Sequence, residues 1–222
     1  MVTTPALTVL PIFVNDGAIQ MTTADNLKKK GYREFATWVD QAAQTWNKKR
    51  GRKSTKQSLY DRLDYQGELR NQTLSNQYLL LYNAAGTNVS AASFARSEFD
   101  LQVLVEHKLY WASFATRQEA DYVAAVLNSS AANEAIKPFQ SLGLMGERDI
   151  EKKLLDLPVP RFNADLETHT LLARLGADAR ELAGSLIKRA DFPENLARQR
   201  QFIRTGVARA LERIDQIVRK LL

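Results

Sequence analysis

The chain has 222 residues, of which 45% are hydrophobic and 25% charged, an ordinary globular composition with enough apolar mass for a substantial core. The absence of cysteine excludes a disulfide scaffold, a thiolate-ligated zinc site and a cysteine nucleophile, and it agrees with a reducing compartment. A net charge of +6 bears on function only through where the charge is concentrated.

The opening, "MVTTPALTVLPIFV", has no basic segment ahead of its apolar residues, and no apolar run reaches the length of a membrane span. A cytoplasmic chain is expected. Residues 7–14 are β-compatible and predict a short strand. Over residues 27–49, Tyr32, Phe35, Trp38, Val39, Ala42 and Trp46 recur every three or four positions, which predicts one amphipathic helix stopped by Gly51. The helix runs into "KKRGRKSTK", residues 48–56, where six of nine residues are basic and none is acidic. Lys48, Lys49, Arg50, Arg52, Lys53 and Lys56 can neutralise several phosphates, the sequence-independent part of nucleic-acid affinity, or form a solvated loop.

The middle of the chain reads as β-rich: "YLLLYN" from Tyr78, a turn at Ala85-Gly86-Thr87, then "NVSAASFA", "LQVLVEH" and "KLYWASF". Thr116 followed by Glu119 predicts a capping box opening a helix that buries Ala120, Val123, Ala124 and Leu127 and ends near Asn128. Asn128 is read as a helix terminator. A second short helix, residues 131–136, is ended by Pro138. Next comes "FQSLGLMGERDIEKKLLDLPVPRF", a glycine-punctuated loop leaving through Pro158 and Pro160. Beyond it, Leu172, Leu175, Ala179, Leu182 and Leu186 form one heptad-like stripe, and Ile203, Val207, Ala210, Ile214, Ile217 and Leu221 form another after Pro193. The opposite face of the second arm carries Arg198, Arg200, Arg204, Arg209, Arg213 and Arg219, facing phosphate or water. The expected architecture is α+β: a small, mostly antiparallel sheet with flanking helices over residues 1–163, and a C-terminal antiparallel helical hairpin over residues 164–222.

Much catalytic chemistry is excluded by inspection. The chain has no Gly-x-Gly-x-x-Gly loop, no Walker-type loop and no Gly-x-Ser-x-Gly elbow. Its two histidines, His107 and His169, fall in different elements, so no metal site is expected. No prolines are adjacent, so the Asn-Pro-Pro-aromatic motif of amino-methylating DNA methyltransferases is missing. Asp100, Glu106 and Lys108 leave one enzymatic alternative, a Mg²⁺-dependent nuclease, although the Glu-x-Lys pair recurs at Glu151 and Lys153.

The segments "LYDRLDYQGEL", "YNAAGTNVSAASF", "EHKLYWASFAT", "EADYVAAVLNSS", "IKPFQSLGLMGERDIEKKLLDLPVPRFNAD" and "THTLLARLGADA", in this order, resemble the C-terminal target-recognition region of adenine-specific DNA methyltransferases of restriction–modification systems. The exit through Pro-x-Pro into a long helix is similar also to the recognition domains of type I specificity subunits. The likeness covers residues 32–186. It implies a DNA target-recognition module without its own methyl-transfer site, with double-stranded DNA and a catalytic methyltransferase domain or subunit as partners. S-adenosylmethionine is then expected in that catalytic partner or in a missing domain, not here. Within this resemblance Gln140, Ser141, Gly143, Gly146 and Arg148 are the candidate reading loop. Arg148 suits guanine, Gln140 suits adenine, and the glycines permit close backbone approach. His107 and Lys108 are candidate phosphate contacts, whereas Tyr110 and Trp111 read as core. The alternatives are turn glycines with Arg148 paired to Glu147 or Glu151, and a protein–protein module whose helical hairpin docks a catalytic subunit.

Overall fold

In the computed structural model, which describes residues 8–52, 57–105, 108–143, 146–147, 149–150, 154 and 156–222, the first element is a hairpin that Asp16-Gly17 dictates. Both residues have positive φ, 48° and 78°, and so make a two-residue turn of the mirror-image class whose twist matches that of the flanking strands. Strands β1 (Ile12–Asn15) and β2 (Ala18–Met21) pair antiparallel across it.

The expected helix over residues 27–49 is two helices, α1 (Ala24–Lys29) and α2 (Arg33–Lys49). Gly31 is the reason. At φ 88° it turns the chain left-handed, its N–H donates to the Lys28 carbonyl, and the Tyr32 N–H reaches back to the Leu27 carbonyl, the double closure that ends helices at glycine. A short α3 (Leu59–Leu63) follows, capped reciprocally by Ser58 and Asp61. Ala24, Leu27, Ala36 and Val39 form the core of this part, flanked by Phe13, Phe35 and Tyr60.

The described chain divides into two units, the first built from residues 8–75 with 104–105, the second from residues 76–103 and 108–222. The segment at Val105 belongs to the first because buried Gln72 clamps it, donating to the Val105 carbonyl and accepting from the Val105 N–H, both at 2.8 Å. Residues 101–105, expected as a strand, therefore form none: at Val105 the backbone pairs with a side chain instead of a ladder.

The second unit is centred on a three-stranded antiparallel sheet, ordered β4 (Ala91–Ala95), β3 (Tyr78–Asn83), β5 (Leu109–Phe114). Leu79, Leu80, Leu81 and Tyr82 of central β3 are all buried. Helix α4 (Arg117–Asn128) packs on the sheet, with the Thr116 hydroxyl accepting the Glu119 N–H at its start. Asn128 does more than end the helix. Its side chain pairs with both the N–H and the C=O of Ala91, and Asn133 of α5 (Ser130–Ile136) accepts from the Val89 N–H, so two side chains hold the start of edge strand β4 and the residues leading into it. A 3₁₀ turn (Lys137–Phe139) leads to a second, minimal hairpin, β6 (Leu142–Gly143) and β7 (Gly146–Glu147).

The C-terminal helices are α6 (Glu167–Ile187), α7 (Leu196–Gly206) and α8 (Ala208–Val218). They run out and back: Leu186 lies against Gly206, while Leu172 and Leu175 pack with Ile214 and Val218. The stripe on α6 is only partly a seam within this hairpin. Its first half also packs on α4 through Tyr122, Ala125 and Val126, whereas Leu182 is 40% exposed. Around residue 163 the chain is held by His169, whose Nδ1 accepts the Asn163 N–H and whose ring stacks on Tyr122 at 4.8 Å. No helix among the described residues is long and apolar enough to cross a membrane.

Candidate nucleic-acid interface

The candidate residues fall in both units, and each group has its own construction. In the first unit α2 delivers Lys48 and Lys49 to its C-terminal turn, where cations also complement the helix dipole. Both are exposed, as is Arg52, and none of the three has an ion-pair partner among the described residues. Arg50 differs. It is half-buried and donates to the Gln57 carbonyl at 2.9 Å, which also accepts the Trp46 indole N–H at 3.0 Å. These two hydrogen bonds to one carbonyl tie the far side of the basic run back to the helix, so Arg50 is an anchor and its neighbours are the available cations. Lys53 and Lys56 lie outside the described residues. Beside the run, Trp38, Gln41, Thr45, Trp46, Lys49 and Leu59 line a shallow groove of about 540 Å³.

In the second unit the glycine-punctuated loop is a hairpin held on a firm base. Gly143 pairs with Gly146 and Leu142 with Glu147. Ala85 bridges to Asp149, the Ile150 N–H donates to the Ala84 carbonyl, and the Ser141 hydroxyl bonds the Asp149 carboxylate. Gln140 is 7% exposed, and its Nε2 donates to the Gly86 carbonyl at 3.0 Å. One N–H of its amide is thus taken by the fold, in a residue that the resemblance sets facing adenine. Its Oε1 is buried and has no hydrogen-bond partner among the described residues. Above this base Leu142 is 83% exposed and Phe139 64%. Arg148 lies outside the described residues, as does the side chain of Glu147.

The base depends on the expected turn at Gly86 and on Asn83, which sequence reasoning does not single out. Asn83 accepts the Ser90 N–H and donates to the carbonyls of Ala85 and Asn88, which shapes the turn between β3 and β4. Gly86 has φ 144°, and a Cβ there would stand 2.9 Å from the Asn83 amide nitrogen. The Asn-x-x-Gly spacing in "YNAAGTN" is the available signal, because Asn organises turns by bonding its own nearby backbone.

Lys108 is exposed at the start of β5, and His107 lies outside the described residues. Tyr110 and Trp111 are half-buried on β5, where Tyr110 stacks on Tyr82 at 5.2 Å. Glu106 is outside the described residues, Asp100 is exposed, and no group of three metal-ligating side chains occurs among those described. On the C-terminal arm, Arg219 donates to Glu134 at 2.9 Å, a bond that holds the Glu134 carboxyl below its ordinary range. Compared with known proteins, the chain matches no family model, no curated protein and no solved structure.

Proposed function

We propose that this chain is a sequence-specific DNA target-recognition module of a DNA methyltransferase or restriction–modification system, acting in the cytoplasm, with methyl transfer carried out by a catalytic domain or subunit. The observation that supports it best is the anchored hairpin: a two-residue ladder with glycines at its inner pair, exposed Phe139 and Leu142, and a base pinned at Gly86, Ala85 and Asp149. A recognition loop needs such a base, since base edges are read only by side chains and backbone held in register with the groove. Lys48, Lys49 and Arg52 supply cations for the sequence-independent part of the affinity.

The test is selection from a random duplex pool with the purified chain, followed by the same selection with Arg148→Ala. A preferred site should emerge, and Arg148→Ala should cost roughly 1–3 kcal/mol on that site and little on random duplex. No enrichment from the wild-type pool would refute the reading, and Mg²⁺-dependent cutting lost in Glu106→Gln would replace it with the nuclease. A second reading, a module that docks a catalytic subunit, is favoured by Trp38 and Tyr32, which leave 45% and 53% of their surface exposed on α2 and at its start. Co-purification with a methyltransferase subunit, lost on Trp38→Ala while duplex binding by the chain alone is absent, would favour it.

A further inference from the structure

We infer that the arm formed by α7 and α8 is a second phosphate-binding surface, contacting the backbone of duplex DNA through Arg200, Arg204, Arg209 and Arg213; this rests on the DNA-recognition reading above. Four other arginines of this unit are paired: Arg117 with Glu98 at 2.7 Å, Arg180 with Asp121 at 3.3 Å, Arg189 with Asp191 at 2.8 Å and Arg219 with Glu134 at 2.9 Å. The four arginines of the arm are exposed and make no hydrogen bond or ion pair among the described residues. Arg209 has an acid at helical spacing, Glu212 three residues on, and makes no ion pair with it; no acid lies within four residues of Arg200 or Arg204, and Asp215 is turned inward to the N–H and hydroxyl of Ser130.

Their placement is regular. Arg200 and Arg204 are four residues apart, as are Arg209 and Arg213, so each pair shares a helix face. By helical spacing Arg209 and Arg213 lie opposite the Leu211, Ile214 and Val218 stripe, whose burial fixes which way α8 presents them. The inner face is anchored by Leu186, which fills the space against Gly206 so tightly that a Cβ there would meet it at 2.3 Å. Planar guanidinium groups spaced along two consecutive helices suit a polyanion with repeating bidentate acceptors, and a duplex backbone offers such acceptors at every phosphate.

Fluorescence anisotropy of a labelled mixed-sequence duplex with the full chain, titrated over a range of salt, tests this. The pair variants Arg200→Gln/Arg204→Gln and Arg209→Gln/Arg213→Gln use a good helix former at exposed positions and should melt as the wild type does. Each should lower the slope of log K against log salt by about 1.8, at roughly 0.9 for each phosphate no longer neutralised, while the corresponding Lys pairs keep it. A wild type that binds duplex with a slope unchanged in both Gln pairs overturns the inference and leaves the recognition reading intact. Failure of the wild type to bind any duplex at low salt overturns both. Binding without site preference, but with the slope falling as expected, keeps this surface and sinks sequence-specific recognition. A glutamate-rich helical peptide that binds more tightly than duplex, and whose binding disappears in the Gln pairs, would overturn the inference by making the arm a site for an acidic protein.

Discussion

Gly176 of α6 faces the carbonyl oxygen of Asp121 on α4 so closely that a Cβ at Gly176 would lie 2.3 Å from it, and 3.1 Å from the Ala125 side chain. Helices approach this far only where one lacks a side chain. The same stretch of α4 is fixed electrostatically: buried Asp121 bonds the Ser93 hydroxyl of β4 and pairs with Arg180 of α6 at 3.3 Å. Glycine and carboxylate together lock sheet, α4 and α6 into one packing. Gly176→Ala should therefore force α6 outward and strain the Asp121 pairs, costing about 1–3 kcal/mol despite the better helix propensity of alanine. Chemical denaturation of variant and wild type checks this, and a variant as stable as the wild type would mean that α6 can shift at no cost.

Residue patterns make some of this legible and leave other parts hidden, for identifiable reasons. The strands at Tyr78–Asn83, Ala91–Ala95 and Leu109–Phe114 stand out as apolar runs bounded by turn residues, and α4 as a capped, periodic segment. The Asp16-Gly17 hairpin and the break at Gly31 carry local signals as strong, but a long apolar periodicity across residues 27–49 outweighs a single glycine. Residues 101–105 form no strand despite their apolar content, because β-propensity says nothing about a competing partner, here the Gln72 side chain. At the candidate site, composition draws attention to Gln140 and Arg50 as polar groups available to a ligand. Whether such a group faces outward depends on partners 54 and 7 residues away, Gly86 and Gln57, which sequence pattern alone does not assign.

Gln140 gives a test of the loop as a presented element. Replacing it with alanine removes the bond to the Gly86 carbonyl and leaves that acceptor without its partner, a cost of about 1–2 kcal/mol. Thermal melting should register the loss. Because the residue holds the base of the hairpin, the preferred DNA site should keep its sequence while binding weakens. A change in the preferred base with unchanged melting would make Gln140 a reader after all.

Alkaline stability reports on the sheet. Tyr82 is 3% exposed, and burial, followed by the neighbouring Tyr110, pushes its phenol up to about 12 from an ordinary 10.0. Its folded pKa is raised, so its contribution is fully present below pH 10.0 and is lost as pH rises through about 12. A shift of that size corresponds to roughly 3 kcal/mol across the interval. Tyr82→Phe should flatten the fall in stability over this window, read by denaturant midpoints at successive pH values. An equally steep fall in the variant would place the alkaline sensitivity elsewhere.

The basic run separates an anchor from its neighbours. Arg50 donates to the Gln57 carbonyl that also takes the Trp46 indole, so Arg50→Gln should lower stability by about 1–2 kcal/mol by removing that charge-assisted bond. Lys48, Lys49 and Arg52 are exposed, and their replacement by Gln should leave melting within about 0.5 kcal/mol of the wild type. In duplex binding the order reverses. The triple variant Lys48→Gln/Lys49→Gln/Arg52→Gln should flatten the salt dependence by about 0.9 for each phosphate no longer neutralised, weakening all duplex sequences alike because phosphate carries no sequence information. Arg50→Gln should change that slope least, its guanidinium being engaged in the fold. A slope untouched in the triple variant would return the run to a solvated loop, and a slope reduced by Arg50→Gln alone would mean that its bond to Gln57 opens when DNA binds.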